Sequence, residues 1–190
     1  MRPISPRLQL TLLMVAALLL LGLFPRWLER FRSHERDLVS PAAGLFLVAR
    51  PGAGDRNFEK TVVLLVEVGP EGTWGLVLNR LKTPRGESLP AGVERWGGPV
   101  GPEQRTMLVR ALEAPERGSR LLEGLYWREG VEPGGLPPGT FLSFAGSAVW
   151  GPGQLEHELE RGGWVLVKED AARAFGEPGS LWAELIAPHG

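Results

Sequence analysis

Apolar residues fall into one long block near the start of the chain and into short runs after it. Leu8 to Phe24 (LQLTLLMVAALLLLGLF) carry no charge, and only Gln9 and Thr11 are polar. As a helix this run spans roughly 25 Å, just short of the ~30 Å hydrocarbon core of a bilayer. Trp27 and Phe31 lengthen it as interfacial side chains. The pattern predicts one N-terminal transmembrane helix, retained as an anchor. A cleaved signal peptide needs small residues directly after the apolar run, but Pro25-Arg26-Trp27-Leu28-Glu29-Arg30 follows, and Ser40-Pro41-Ala42-Ala43 comes too late. Arg26 to Asp37 has two open readings, an amphipathic helix lying on anionic lipid and a solvated linker.

From Gly44 onward the apolar runs have strand length. Leu45–Ala49 reads as a buried strand closed by Pro51-Gly52. The β-branched run Thr61–Val68, the turn residues Gly69-Pro70-Glu71-Gly72 and the resumed run Thr73–Asn79 give the clearest hairpin signal. Further strands are predicted at Thr106–Ala111, Leu121–Trp127, Thr140–Phe144 and Trp164–Val167. A helix is predicted over Gly151–Gly162, with Pro near its first turn and Gly at its end. Two short helices follow at Asp170–Phe175 and Ser180–Ile186. Many strands with a few late helices give an α+β class and exclude a doubly wound fold.

Charge divides the chain in the same place. Residues 1–43 hold six Lys/Arg against three Asp/Glu, net +3, and residues 44–190 hold fifteen against nineteen, net −4. The near-neutral total of −1 is therefore a basic anchor and linker (1–43) followed by an acidic globular domain (44–190). Acidic balance argues against direct nucleic-acid binding, which rests on phosphate neutralisation. Arg2 and Arg7 precede the span, while Arg26, Arg30, Arg32 and Arg36 follow it. That asymmetry predicts a single-pass protein of the inner membrane with a cytoplasmic domain; the alternative is an exported, periplasmic-facing one. The membrane, engaged through residues 8–24, is the first expected partner.

Candidate chemistry is sparse. The chain has no cysteine, so disulfides, thiolate metal sites and a cysteine nucleophile are excluded. Gly52-Ala53-Gly54-Asp55-Arg56-Asn57 lacks the third glycine of a dinucleotide fingerprint, and a β-branched strand follows where the phosphate-binding helix belongs. Neither a P-loop nor a Gly-x-Ser-x-Gly elbow occurs. Of His34, His157 and His189, only His157 is placed for a metal site or a hydrolytic dyad, and its acidic neighbours suit a solvated helix face. Asp55, Glu67, Asn79, Gln154, Glu156 and Glu158 remain as polar candidates. Gly97-Gly98 allows close backbone approach, to an anion or to another strand.

Read in order, these segments resemble a known family. Gly44-Leu45-Phe46-Leu47-Val48-Ala49-Arg50-Pro51, then Asp55-x-x-Phe58-x-x-Thr61-Val62-Val63, then Glu67 and Gly72-x-x-Gly75-Leu76-Val77-Leu78-Asn79-Arg80 resemble the opening of the bacterial YqgE/AlgH family. Gly97-Gly98-Pro99-Val100, Gly146-x-Ala148-x-Trp150-x-x-Gly153-Gln154-Leu155-Glu156-x-Glu158-Leu159, Trp164 and Leu181-Trp182 continue the order. The resemblance covers about residues 44–186. It implies a strand-rich mixed sheet curling towards a barrel, with a few short helices, here preceded by the transmembrane helix. It implies no settled activity; members are named as transcriptional regulators from a link to alginate production. Its shared polar positions correspond to Asp55, Thr61, Asn79, Gln154 and Glu156, which with Gly97 and Gly98 form the candidate ligand or partner site. The chain departs from the family at Ser147, usually aromatic, at Val149, usually Gly or Ser, and at Val68 and Arg110, commonly histidine.

The functional expectation is a membrane-tethered, non-enzymatic binding or regulatory module with no cofactor and no metal, serving a protein or small-molecule partner. The alternative is an enzyme or sensor acting on a phosphorylated or nucleotide-like small molecule, with Asp55 and Glu156 handling protons or a loosely held Mg²⁺.

Overall fold

A computed structural model describes residues 40–52, 57–130, 132 and 134–189. Nine strands lie among them: β1 (Phe46–Ala49), β2 (Val62–Gly69), β3 (Gly72–Val77), β4 (Arg95–Trp96), β5 (Val100–Arg110), β6 (Ser119–Leu122), β7 (Leu125–Glu129), β8 (Phe141–Trp150) and β9 (Trp164–Val167). Two α-helices follow the eighth and ninth strands, α1 (Gln154–Glu160) and α2 (Pro178–Ile186), with a 3-10 turn at Ala171–Phe175 between β9 and α2.

The strands form one sheet in the order β6-β7-β5-β8-β3-β2-β1-β9, with β4 alongside β8. Every pairing is antiparallel except that of the two-residue β4. This corrects the expected mixed sheet curling towards a barrel: the sheet is open, and its end strands β6 and β9 do not pair with each other. The reason is local. Tight turns such as Pro70-Glu71, with Gly69 opposite Gly72, and Glu123-Gly124 return the chain beside itself, which gives antiparallel neighbours.

The expected transmembrane helix is corrected as well. Residues 8–24 lie outside the described residues, as does Arg26 to Asp37, and among the described residues no helix is long and apolar enough to cross a membrane. Membrane attachment through residues 8–24 and a single-pass inner-membrane location, whether cytoplasmic- or periplasmic-facing, are therefore not retained.

Continuous apolar runs in β1 and β2 arise because both faces of this part of the sheet are covered. Phe46, Val48, Val62 and Leu64 point into a core shared with Leu108, Leu125, Phe144 and the α2 residues Leu181 and Leu185. Leu47, Ala49, Val63 and Leu65 point the other way, into a second core with Trp96, Trp150, Trp164 and Leu155 of α1. Each fully buried leucine or phenylalanine contributes about 1.5–3 kcal/mol relative to exposure.

β8 connects the two halves of the sheet: residues up to Ser147 pair with β5, and Ala148 to Trp150 pair with β3. At the change of partner sits Gly146, with φ 71°. Gly97-Gly98 crosses it so closely that a Cβ on Gly98 would lie 2.1 Å from the Ser147 carbonyl carbon, and one on Gly146 would lie 2.4 Å from the Gly98 oxygen. Gly97 also receives the Val77 N–H and donates to Ala145 O. The glycine pair is thus a backbone crossing that binds β3 to β8.

Candidate functional site

The site grows out of the chain between β8 and β9. β8 ends at Trp150, and α1 begins after Gly153, whose left-handed φ of 71° starts the helix. The Gln154 side-chain oxygen accepts the Gly151 N–H at 3.1 Å, closing the first turn. At the other end Gly162 N–H donates to Leu159 O and Gly163 N–H to Glu158 O, the paired bonds of a Schellman stop. β9 then opens with Trp164. Arg50 N–H donates to Gly163 O at 3.0 Å, tying the helix stop to the exit of β1.

Two tryptophans flanking α1 converge on one carboxylate. Trp150 Nε1–H donates to Glu158 Oε2 at 3.0 Å and Trp164 Nε1–H to the same oxygen at 2.8 Å. Gln154 Nε2 donates to Glu158 Oε1 at 2.9 Å, one turn earlier on the helix. Three acceptor positions of the carboxylate are therefore used to hold side chains in place. Phe58 completes the aromatic group, with ring centroids 6.0 Å from Trp150 and 5.6 Å from Trp164; the two indoles meet edge to face at 5.9 Å.

Beside this group lies a cleft of about 700 Å³. One wall is α1, which presents Gln154, Glu158 and Arg161 at i, i+4 and i+7, a single helical stripe. The facing wall is the exit of β1, Arg50-Pro51-Gly52, with Phe58 and Glu59 from the turn before β2. Arg50 Nη1 donates to His189 O at 3.1 Å. The volume falls in the range of small-molecule sites, and the lining mixes apolar rings with a few fixed polar groups, as such sites do.

The family now follows from comparison. A family profile described as AlgH-like matches residues 46–190. The chain belongs to the AlgH-like family. A UPF0301 protein of Streptomyces coelicolor is 38% identical over 173 residues, covering 78% of this chain and 86% of that protein. A UPF0301 protein of Myxococcus xanthus is 36% identical over 158 residues, covering 74% and 86%. Among solved structures, the AlgH protein of Pseudomonas aeruginosa superposes with a TM-score of 0.59 at 28% identity, covering 78% of this chain and 89% of that one. Protein DIP2367 of Corynebacterium diphtheriae gives 0.64 at 23% identity, covering 78% and 87%, and shares the fold.

In this AlgH-like chain the sequence-predicted residues are scattered. Gln154 lines the cleft, whereas Glu156 is exposed on α1 away from the lining. Thr61 is fully buried, and its hydroxyl donates to Phe58 O at 2.8 Å. Asn79 accepts the Val62 N–H and donates to Lys60 O, both at 2.9 Å. Arg80 donates to Glu59 O. These three residues brace the turn that carries Phe58, so they act on the cleft through its wall. Gly97 and Gly98 make the crossing at β8. Asp55 lies outside the described residues.

Two groups escaped the sequence-derived site. Glu158 stood among the polar candidates, but its partners are residues 150 and 164, and no helical spacing links them to it. Arg161 lay in no motif, and Arg50 stood only within the Gly44–Pro51 segment with no role attached. The legible signal was the 154/158/161 stripe on a helix flanked at both ends by tryptophan.

Proposed function

We propose that this AlgH-like protein is a non-enzymatic binding module whose working surface is the cleft between α1 and the exit of β1. The observation that carries this reading is the Glu158 carboxylate. It stands at a cleft of ligand size, yet its three accepted hydrogen bonds commit it to positioning Trp150, Trp164 and Gln154. A group held in this way suits recognition better than proton transfer, which needs a lone pair aimed at the substrate. The described lining contains no hydroxyl, thiol or imidazole side chain, and Glu59, the other carboxylate, is exposed. The reading of an enzyme acting on a phosphorylated or nucleotide-like molecule draws on the same cleft, and one experiment separates the two. In a thermal-shift screen of metabolites against the full chain, binders are expected to raise Tm, to lose that effect in Phe58→Ala, and to be recovered chemically unchanged. Recovery of a converted product overturns the non-enzymatic reading; absence of any Phe58-dependent binder overturns the cleft assignment.

A further inference from the structure

We propose that the ligand of this cleft is a flat aromatic ring carrying an anionic group, a phosphate or a carboxylate; this rests on the cleft being the binding site. Trp150 and Trp164 are only 3% and 7% exposed, and both indole N–H groups are taken by Glu158. What they add to the cleft is a narrow carbon edge, with the polar edge already satisfied. Half-buried Phe58 and the exposed Val149, 48% accessible, supply most of the apolar surface. A flat ring loses no hydrogen bond on settling there, and aromatic contacts favour it over an aliphatic chain of equal area.

The reachable charge has the opposite character. Arg50 and Arg161 are exposed side chains on the two facing walls, one from the β1 exit and one from the last turn region of α1. Among the described residues, the Arg50 side chain makes one hydrogen bond, to His189 O, which leaves most of its fork for a ligand. Guanidinium groups match carboxylate and phosphate oxygens two bonds at a time. A cationic ligand would face these two arginines; of the two lining carboxylates, Glu158 is already engaged with three donors, and exposed Glu59 stands alone against two guanidinium groups. The lining thus selects for an anion at the rim and a ring at the floor.

The test is an NMR titration of the full chain, read at the Trp150 and Trp164 indole N–H resonances, with four probes. AMP and 1-naphthoate carry both elements, adenosine only the ring and inorganic phosphate only the charge. At least one of the first two is expected to shift both resonances and to bind about tenfold or more tightly than adenosine and phosphate, the worth of a charge-assisted contact. Response to AMP alone assigns phosphate, and response to naphthoate alone assigns carboxylate. Arg161→Ala, an exposed position, is expected to weaken binding about tenfold with Tm unchanged. Silence of both AMP and naphthoate, adenosine binding as tightly as AMP, or an Arg161→Ala protein that binds undiminished overturns the proposal. If those probes are silent while an unrelated metabolite still gives Phe58-dependent stabilisation, the ligand class fails and the cleft reading stands.

Discussion

Glu158 and Asn79 do comparable work in different places. Glu158 holds two indoles from the side of a helix, and Asn79 holds the backbone of Val62 and Lys60 where β2 begins. Removing either side chain leaves part-buried donors or acceptors without partners, at about 1–3 kcal/mol each time. Chemical denaturation of Glu158→Ala and Asn79→Ala is expected to show losses of that size in both. Ligand titration is expected to part them: Glu158→Ala frees the Trp150 and Trp164 rings and weakens binding strongly, while Asn79→Ala, which loosens only the turn that carries Phe58, weakens it less. Equal binding by the two variants would mean that the indoles need no fixed orientation.

At the scale of elements, α2 offers a titratable contact. Arg173 from the 3-10 turn donates to Glu184 of α2 at 2.8 Å. The Glu184 carboxyl is held below its ordinary value, first by a hydrogen bond from Ser180; desolvation, next in size, opposes it, and the charge of Arg173 and its hydrogen bond add to the lowering. A folded-state value below the unfolded one adds stability that is complete above the unfolded pKa and is lost as pH falls through the folded one. The Tm of the parent is therefore expected to exceed that of Glu184→Gln at neutral pH, with the difference closing below the ordinary carboxylate range. A gap that persists in acid would show that the charge contributes nothing.

Elements also show what can be read from a chain. The β2–β3 hairpin was legible because β-branched runs flank Gly69-Pro70-Glu71-Gly72, and the short-range turn sets the pairing. Leu121–Trp127 reads as one strand but is two, because Glu123-Gly124 turns the chain, with Gly124 at φ 73°. β8 continues past Gly146, where a glycine in an apolar run ordinarily signals a break. There, different partners on its two sides hold the strand through the kink, and such long-range support leaves no local trace. β4 is too short for any periodicity. The candidate site was legible to the extent of Gln154 and the helix that carries it. The carboxylate–indole arrangement depends on where Trp150 and Trp164 end up in space.

At the scale of the molecule, the crossing of Gly98 over β8 is the tightest requirement among the described glycines. Gly98 has φ 151°, and a Cβ there meets backbone at 2.1 and 2.2 Å, which only movement of one half of the sheet relieves. Gly98→Ala is expected to cost about 3 kcal/mol or more. By contrast, Gly52 has open space around its Cβ position, so Gly52→Ala bears only the strain of its φ of 78°, about 1–2 kcal/mol. Thermal denaturation of the pair checks the ranking; equal losses would show that the crossing tolerates a methyl group.

The ladder joining β1 to β9, with Phe46 opposite Val167 and Ala49 opposite Trp164, brings together stretches more than a hundred positions apart. The walls of the cleft come from the chain that leaves β1 and from α1, which leads into β9. A nascent chain emerging from the ribosome therefore has no cleft until α1 and β9 have been made and β9 has docked on β1. A molecule that binds there selects copies with that ladder closed over copies with it open and, by mass action, holds it closed. Occupancy of the cleft would then count molecules with the ladder formed, a quantity distinct from the amount of chain synthesised.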